Sequence, residues 1–259
     1  MTVTDTEVLQ AQQAAHGGAG KRAYVQRMFS EIAPRYDLLN HLLSFNIDRR
    51  WRSAALSDLG WRERPTGRYL DVCAGTLDVG VQLAEEPGFG GTVTSADFAE
   101  PMLRAGLGKG KGKPLFAVVA DAQDLPVAEN SFDGAIVAFG IRNLADLDAG
   151  LRETLRVLVP GARFVILEFS TPRSAIVRSG YHAYFHNVLP FVGGLVSRHP
   201  TAYRYLPQSV AAFPEQSVLA ERMERAGFVK VTWRPLTFGI AAIHVGQKPG
   251  RASSLPASS

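Results

Sequence analysis

Asp71, Asp97 and Asp121 stand at the ends of three successive short β-rich runs, Tyr69 to Val72, Thr92 to Ala96 and Leu115 to Val119. In an open α/β sheet, ligands sit outside the carboxyl ends of the strands, so the three carboxylates are delivered to one edge. A carboxylate after the second strand accepts hydrogen bonds from both hydroxyls of a ribose, and Asp121 with Ala122 after the third is placed to read an adenine amino group. The first run opens into Asp71-Val72-Cys73-Ala74-Gly75-Thr76-Leu77-Asp78. There Gly75 permits close backbone approach and Thr76 offers a hydroxyl at a helix start. Taken singly, a strand-end aspartate is more often a turn former or a helix cap; three at successive strand ends favour a ligand. Asp78 reads as a solvated helix residue, and Cys73 as a small packed side chain, since no base is identifiable beside it.

The elements that must hold these residues alternate. Further β-rich runs, Phe132 to Phe139 and Arg163 to Phe169, are separated by helical patterns, which means crossover units and a mostly parallel sheet covered on both faces. Leu147, Leu151, Leu155 and Leu158 form an apolar helical stripe that Asp146 can cap and Pro160-Gly161 is expected to stop. A later helix is opened by Pro214 and closed by Gly227. Phe228 to Trp233 and Gly239 to Val245 then pair as an antiparallel hairpin with a turn near Pro235. Five parallel strands plus a closing hairpin is the Rossmann-like, seven-stranded layout of class I methyltransferases. The loop after the first strand carries one glycine, so the G-x-G-x-x-G pattern of a dinucleotide site is absent. A ribose reader and an adenine reader without a pyrophosphate loop point to S-adenosylmethionine.

Around this domain (21–248) the sequence places a loose arm (1–20), a helical cap (21–60) interrupted by Pro34, a helical, aromatic-rich insertion (174–212) and a Gly/Ser/Ala/Pro tail (249–259). The 259 residues are 46% hydrophobic and 20% charged, which excludes disorder as the main state. A net charge of +4, with no basic stripe, argues against nucleic acid while suiting an anionic surface or ligand. One cysteine rules out a disulfide framework and a cysteine-rich zinc site, and a reducing cytoplasmic setting is the simplest reading. The apolar stretch Tyr181 to Val196 is broken by His182, His186, Pro190 and Gly193-Gly194 and is shorter than the roughly 20 residues that span a bilayer. The two histidines lack a third ligand, so they read as polar decoration and no metal is expected. Gly106 to Lys113 reads as a solvated loop.

With these residues in order, the sequence resembles the ubiquinone/menaquinone biosynthesis C-methyltransferases, most closely those acting on demethylmenaquinone, over roughly Tyr24 to Lys248. The most specific motifs are Tyr36-Asp37-Leu38-Leu39-Asn40 followed by Ser44 and Trp51, and Phe139-Gly140-Ile141-Arg142-Asn143. Arg156-Val157-Leu158 through Glu168-Phe169-Ser170, and the late Tyr203-Arg204-Tyr205-Leu206, agree as well. The chain departs from the family at Asp48, at Val159 to Ala162, at Leu77, where a small residue is usual and space near the methionine part of the cofactor should narrow, and at Ala138.

The resemblance implies methyl transfer from S-adenosylmethionine to a ring carbon of a prenylated demethylmenaquinol. A hydroquinone that loses a hydroxyl proton makes the adjacent carbon nucleophilic, so the protein must hold the ring, stabilise a phenolate and exclude water. Arg142, permanently cationic, is the candidate phenolate partner, with a surface ion pair to Asp146 or Asp148 as the alternative. Asn143 would orient the ring oxygen; Tyr36, Asp37 and Asn40 would close over the site, with Asp37 or a water it binds as proton acceptor. The aromatic insertion suits a polyprenyl tail, which implies contact with the inner face of a membrane, and a homo-oligomer stays open. The other readings are methylation of a ubiquinone precursor or another lipid or aromatic acceptor, and an inactive cofactor-binding subunit of a quinone-synthesis assembly.

Overall fold

The computed structural model describes residues 11–15, 20–37, 47–172, 174, 177–179 and 200–250. Most of the arm, Asn40, Ser44, residues 180–199 with both insertion histidines, and the tail beyond 250 lie outside them.

Helices α1 (Lys21–Ile32) and α2 (Ile47–Asp58) precede strand β1 (Arg68–Val72). Then come α3 (Asp78–Ala84), β2 (Thr92–Asp97), α4 (Glu100–Gly106), β3 (Leu115–Val119) and β4 (Phe132–Ala138). The second half holds α5 (Leu147–Val157), β5 (Leu158–Phe169), α6 (Pro200–Ala211), α7 (Gln216–Ala226), β6 (Val229–Leu236) and β7 (Ala241–Gln247). The sheet order is β3-β2-β1-β4-β5-β7-β6. Its first five strands are parallel, and β7 runs antiparallel to both β5 and β6. This is the class I methyltransferase topology, with the chain order reversing between β1 and β4, where a crevice opens.

Period-two alternation explains the two covered faces. Leu70, Val72, Ala135, Val137, Phe164 and Ile166 point to one core, beneath Leu151 of α5 and Leu219 and Met223 of α7. Tyr69, Ile136, Val165 and Leu167 point to the other, beneath Trp51, Ala55 and Leu56 of α2 and Val79 and Leu83 of α3. The middles of β4 and β5, Ala135 to Val137 and Phe164 to Leu167, are buried on both faces, and there the sequence reads as unbroken apolar runs.

Two terminations differ from expectation. The Asp146 side chain does cap α5, accepting from the Ala149 N–H at 3.0 Å. The helix ends at Val157, however, before Pro160-Gly161: Leu158 is fully buried, extended, and already pairs with Phe132 of β4. Sheet pairing captures the chain first, and Gly161, at φ 84°, accommodates the irregularity inside β5. Pro235 likewise lies within β6, opposite Ala242, not in the turn. β6 is an edge strand, where a missing N–H leaves no ladder bond unmade. The turn is Thr237–Gly239, with φ of 45°, 58° and 91° in succession.

Candidate active site

The carboxyl ends of β1 to β4 line an open cleft of about 640 Å³, a volume that includes the solvent at its mouth. Its walls include Gly75, Ala96, Ala120, Ala122, Ala138 and Gly140, with Asp97, Asp121 and Asn143 as polar groups and Tyr36, Phe98, Met102 and Phe139 as apolar ones. The small residues leave a flat space against the strand ends. At Gly140 a β-carbon would stand 2.4 Å from that of Cys73, so only glycine lets these two loops meet.

Asp97 is the buried anion of this cavity. Its Oδ2 accepts from the Gly75 N–H at 2.9 Å and its Oδ1 from the Ala99 N–H at 2.8 Å. Burial pushes its pKa up, and the N–H groups of Ala99, Gly75 and Phe98 oppose the shift. Each oxygen keeps a second lone pair for a diol. Asp121 accepts from the Gln123 N–H at 2.9 Å and pairs with Arg22 Nε at 2.9 Å. Arg22 is 59% exposed, so this pair is weak and leaves Asp121 open to exchange. Ala122 lines the same wall.

Asp71 and Thr76, which the sequence places at the cofactor, are both off the cavity wall. Asp71 is 1% exposed; its Oδ2 accepts from the Gly80 N–H at 3.1 Å and from Ser95 Oγ at 3.3 Å. It lies inside β1, whose alternation turns it toward α3, and so it fixes the loop instead of meeting a ligand. Burial raises its pKa to about 7. The folded chain therefore holds a proton that the unfolded chain, at about 3.9, releases. The stabilisation is complete below the unfolded value and lost as pH rises through about 7. The expected slope is up to about −1.4 kcal/mol per pH unit between roughly pH 4 and 7. Denaturant titrations at several pH values should show it, and Asp71→Asn should flatten it by that amount; an unchanged slope would remove Asp71 as its source.

Thr76 and Asp37 meet each other. Thr76 Oγ1 donates to Asp37 Oδ1, and Lys109 Nζ lies 2.6 Å from both Asp37 Oδ2 and Asp78 Oδ1. Asp78 is therefore an ion-pair residue, and Lys109 joins the run read as solvated loop to the cap. Both Asp37 oxygens are engaged and the residue has no place on the cavity wall, so in this structure it latches the cap to the loop after β1. The rest of the cap is tied to the other loops. Gln26 Nε2 donates to the Phe98 carbonyl at 3.0 Å, Arg22 meets Asp121, and Lys21 Nζ donates to the Arg142 carbonyl at 2.8 Å. α1 and the turn after it thus touch the loops following β1, β2, β3 and β4. Of the two expected cap residues that are described, Tyr36 reaches the cavity, packed edge-on against Phe29 at 5.9 Å.

Arg142 is also placed differently from expectation. Its guanidinium is buried behind the wall, with Nη1 at 2.7 Å from Glu168 Oε1 and donating to the Phe139 carbonyl, and Nε at 3.4 Å from Ser209 Oγ. It also lies 5.5 Å from the centre of the Phe169 ring. Neither Asp146 nor Asp148 is its partner; β5 supplies Glu168 from directly beside β4. Burial pushes the Glu168 carboxyl up, and the adjoining guanidinium pulls it back. Asn143 does face the cavity. Tyr205 of α6 donates to its Oδ1 at 3.1 Å, which fixes the amide orientation and leaves Nδ2 as the free donor.

The comparisons with known proteins agree with this architecture. Residues 18–248 match the model of the ubiE/COQ5 methyltransferase family. The chain belongs to that family. A Thermus thermophilus protein named demethylmenaquinone methyltransferase is 49% identical, covering 86% of this chain and 100% of its own. A Geobacter sulfurreducens protein named ubiquinone/menaquinone biosynthesis C-methyltransferase UbiE is 46% identical over 86% and 88%. Among solved structures, a Thermotoga maritima S-adenosylmethionine-dependent methyltransferase, described as a possible histamine N-methyltransferase, aligns with a TM-score of 0.57. At 18% identity over 86% of this chain and 99% of its own, it supports the fold alone.

Within this ubiE/COQ5 methyltransferase, the departures sit mostly away from the cavity. Leu77, at φ 70°, is wholly buried and packs toward Gly106, where an added β-carbon would meet its Cγ at 2.8 Å; it does not narrow the cavity. Asp48 is a buried partner of Arg52 at 2.6 Å. Ala138 alone lines the wall. Glu168, Lys109 and Tyr205 were missed as site residues, although Glu168 and Tyr205 lie in motifs that marked the resemblance.

Proposed function

We propose that this methyltransferase moves a methyl group from S-adenosylmethionine to a ring carbon of prenylated demethylmenaquinol, giving menaquinol in menaquinone biosynthesis. The observation that carries the reading is 49% identity, across the whole of a relative named for that reaction, in a chain with a small-residue cavity at the β1/β4 crevice. The cavity suits the cofactor: Asp97 keeps lone pairs for a ribose, Asp121 and Ala122 flank a flat space for adenine, and Gly75 admits close approach. S-adenosylmethionine, when bound, supplies an electrophilic methyl on a sulfonium.

The chain's own residues must make a carbon nucleophilic. Asn143 Nδ2 donates to the ring oxygen as its hydroxyl proton passes to bulk water, and the Arg142 charge behind Phe139 supports the resulting phenolate. Once the ring carbon has taken the methyl, it gives up its own hydrogen as a proton, which restores aromaticity and leaves one proton released overall. Phe139, packed 4.7 Å from Phe169 and 6.1 Å from Trp51, gives an aromatic wall against which a bicyclic ring can lie. Tyr36 covers the opening and excludes water.

The test is transfer of labelled methyl by purified protein, in detergent, to chemically reduced demethylmenaquinone and to a demethoxy-type benzoquinol. Label in menaquinol is the expected result. Label in the benzoquinol alone would move the enzyme to ubiquinone precursors. Label in neither, with cofactor binding intact, would favour the inactive-subunit reading.

A further inference from the structure

The Thr237–Gly239 turn presents Phe238 to solvent with 82% of its surface exposed, the largest value among the exposed large hydrophobic residues described. Its φ of 58° is a conformation that a side chain of this size rarely adopts, and its neighbours Thr237 and Gly239 are left-handed as well. The backbone therefore holds the ring outward. The turn is also anchored, because Trp51 Nε1 donates to Thr237 Oγ1 at 2.8 Å.

Its position in the fold is informative. Phe169, at the carboxyl end of β5, pairs with Ala241, the first residue of β7, so the turn lies on the cavity edge of the sheet. α2 runs against the strands: Trp51 meets Phe139 and Phe169 at their carboxyl ends, whereas the Asp58 carbonyl reaches Arg163, four strand residues earlier than Leu167. The amino end of α2, with exposed Arg49 and Arg50, is therefore on the same edge as Phe238. Neither arginine has an ion pair among the described residues, while Arg234 nearby is already held by Asp58 at 2.7 Å.

We propose that the Thr237–Gly239 turn, with Arg49 and Arg50 beside it, docks the enzyme on an anionic lipid bilayer. A lone ring flanked by the exposed Thr237, Pro235 and Arg234 lacks the contiguous apolar patch of a protein interface, which buries about 800 Å² per partner. One aromatic tip with free guanidiniums fits a headgroup layer, where phosphates take the charges and acyl chains take the ring. Docking this way turns the cavity edge toward the lipid. The proposal deepens the reading above, on which its link to a prenylated acceptor rests.

The experiment is co-sedimentation of the full chain, without methyl donor or acceptor, with phosphatidylcholine vesicles and with vesicles containing roughly a third phosphatidylglycerol. Phe238→Ala should weaken binding about tenfold, the loss expected on leaving one aromatic side chain in water. Arg49→Gln with Arg50→Gln should weaken binding to the anionic vesicles by about tenfold or more and leave binding to neutral ones unchanged. Phe116→Ala, at 59% exposure on β3 at the opposite sheet edge, is the control and should bind as the parent does. Parent-like binding by Phe238→Ala, an equal loss in Phe116→Ala, or indifference to anionic lipid would each overturn the proposal. Methyl transfer in detergent by Phe238→Ala should match the parent, which separates this test from that of the reaction.

Discussion

Arg142→Met is expected to unfold at a markedly lower denaturant concentration than the parent, by about 3–5 kcal/mol, because it leaves Glu168 as an uncompensated buried charge. Glu168 is 2% exposed and its Oε1 lies 2.7 Å from the guanidinium that would be removed. Its remaining donors, the N–H groups of Phe169 and Arg142 at 2.8 and 3.4 Å, are too few to hold an anion alone. Against a typical total of about 5–15 kcal/mol, this loss is a large fraction of the fold's stability. The double variant Arg142→Met, Glu168→Gln should recover most of it, because the charge to be compensated is gone. If the single variant unfolds at the parent midpoint, the pair is not holding the β4–β5 loops together. Turnover separates the second role: the double variant, folded but without the cation behind Asn143, should still methylate far more slowly than the parent. A folded double variant with parent turnover would take Arg142 out of the chemistry.

The sequence alone does not give Arg142 this partner. The motif around Arg142 is local and readable, whereas its partner is set by strand order: β5 lies beside β4, so residue 168 meets residue 142. Lys109 is similar. Within Gly106 to Lys113 the spacing of glycines suggests only solvated loop, yet its amine meets carboxylates from the cap and from α3. Ion pairs between distant segments leave no periodic signal, so sequence reading assigns such side chains to solvent or to the nearest oppositely charged residue.

Alternation, by contrast, was legible, because burial on two faces imposes apolar runs and burial on one imposes period two. The seven strands, the Asp146 cap and the Gly227 stop follow from local composition, although β5 begins earlier than expected, at Leu158, and β6 runs on past Trp233 to Leu236. Asp71 shows the limit of the same reasoning. Proximity to a strand end located it along the chain, but Asp71 lies level with Ser95, one residue short of the end of β1, and its side chain is taken up inside the fold by Gly80 and Ser95. Asp97, two residues beyond Ser95 on the same face, stands at the end of its strand and reaches the cavity.

Asp97→Asn tests that placement. The carboxylate accepts backbone N–H groups from two loops, Gly75 through Oδ2 and Ala99 through Oδ1. An amide can accept from only one of them and sets its own N–H₂ against the other donor. The loop after β1 should therefore lose its anchor at the same time as the diol loses its anionic acceptor. Hydrogen bonds to a charged group are each worth about 1.5–3 kcal/mol, so losing two weakens affinity for S-adenosylhomocysteine by roughly 100-fold or more. Calorimetric titration measures this directly. Asp121→Asn, whose carboxylate is shared with the exposed Arg22, should lose much less, since an amide oxygen still accepts from Gln123 and the pair to Arg22 is weak. An affinity within threefold of the parent for Asp97→Asn would mean that the cofactor's sugar lies elsewhere in the cavity. The ordering of the two variants separates a lost diol contact from a general weakening of the fold, which would lower both alike.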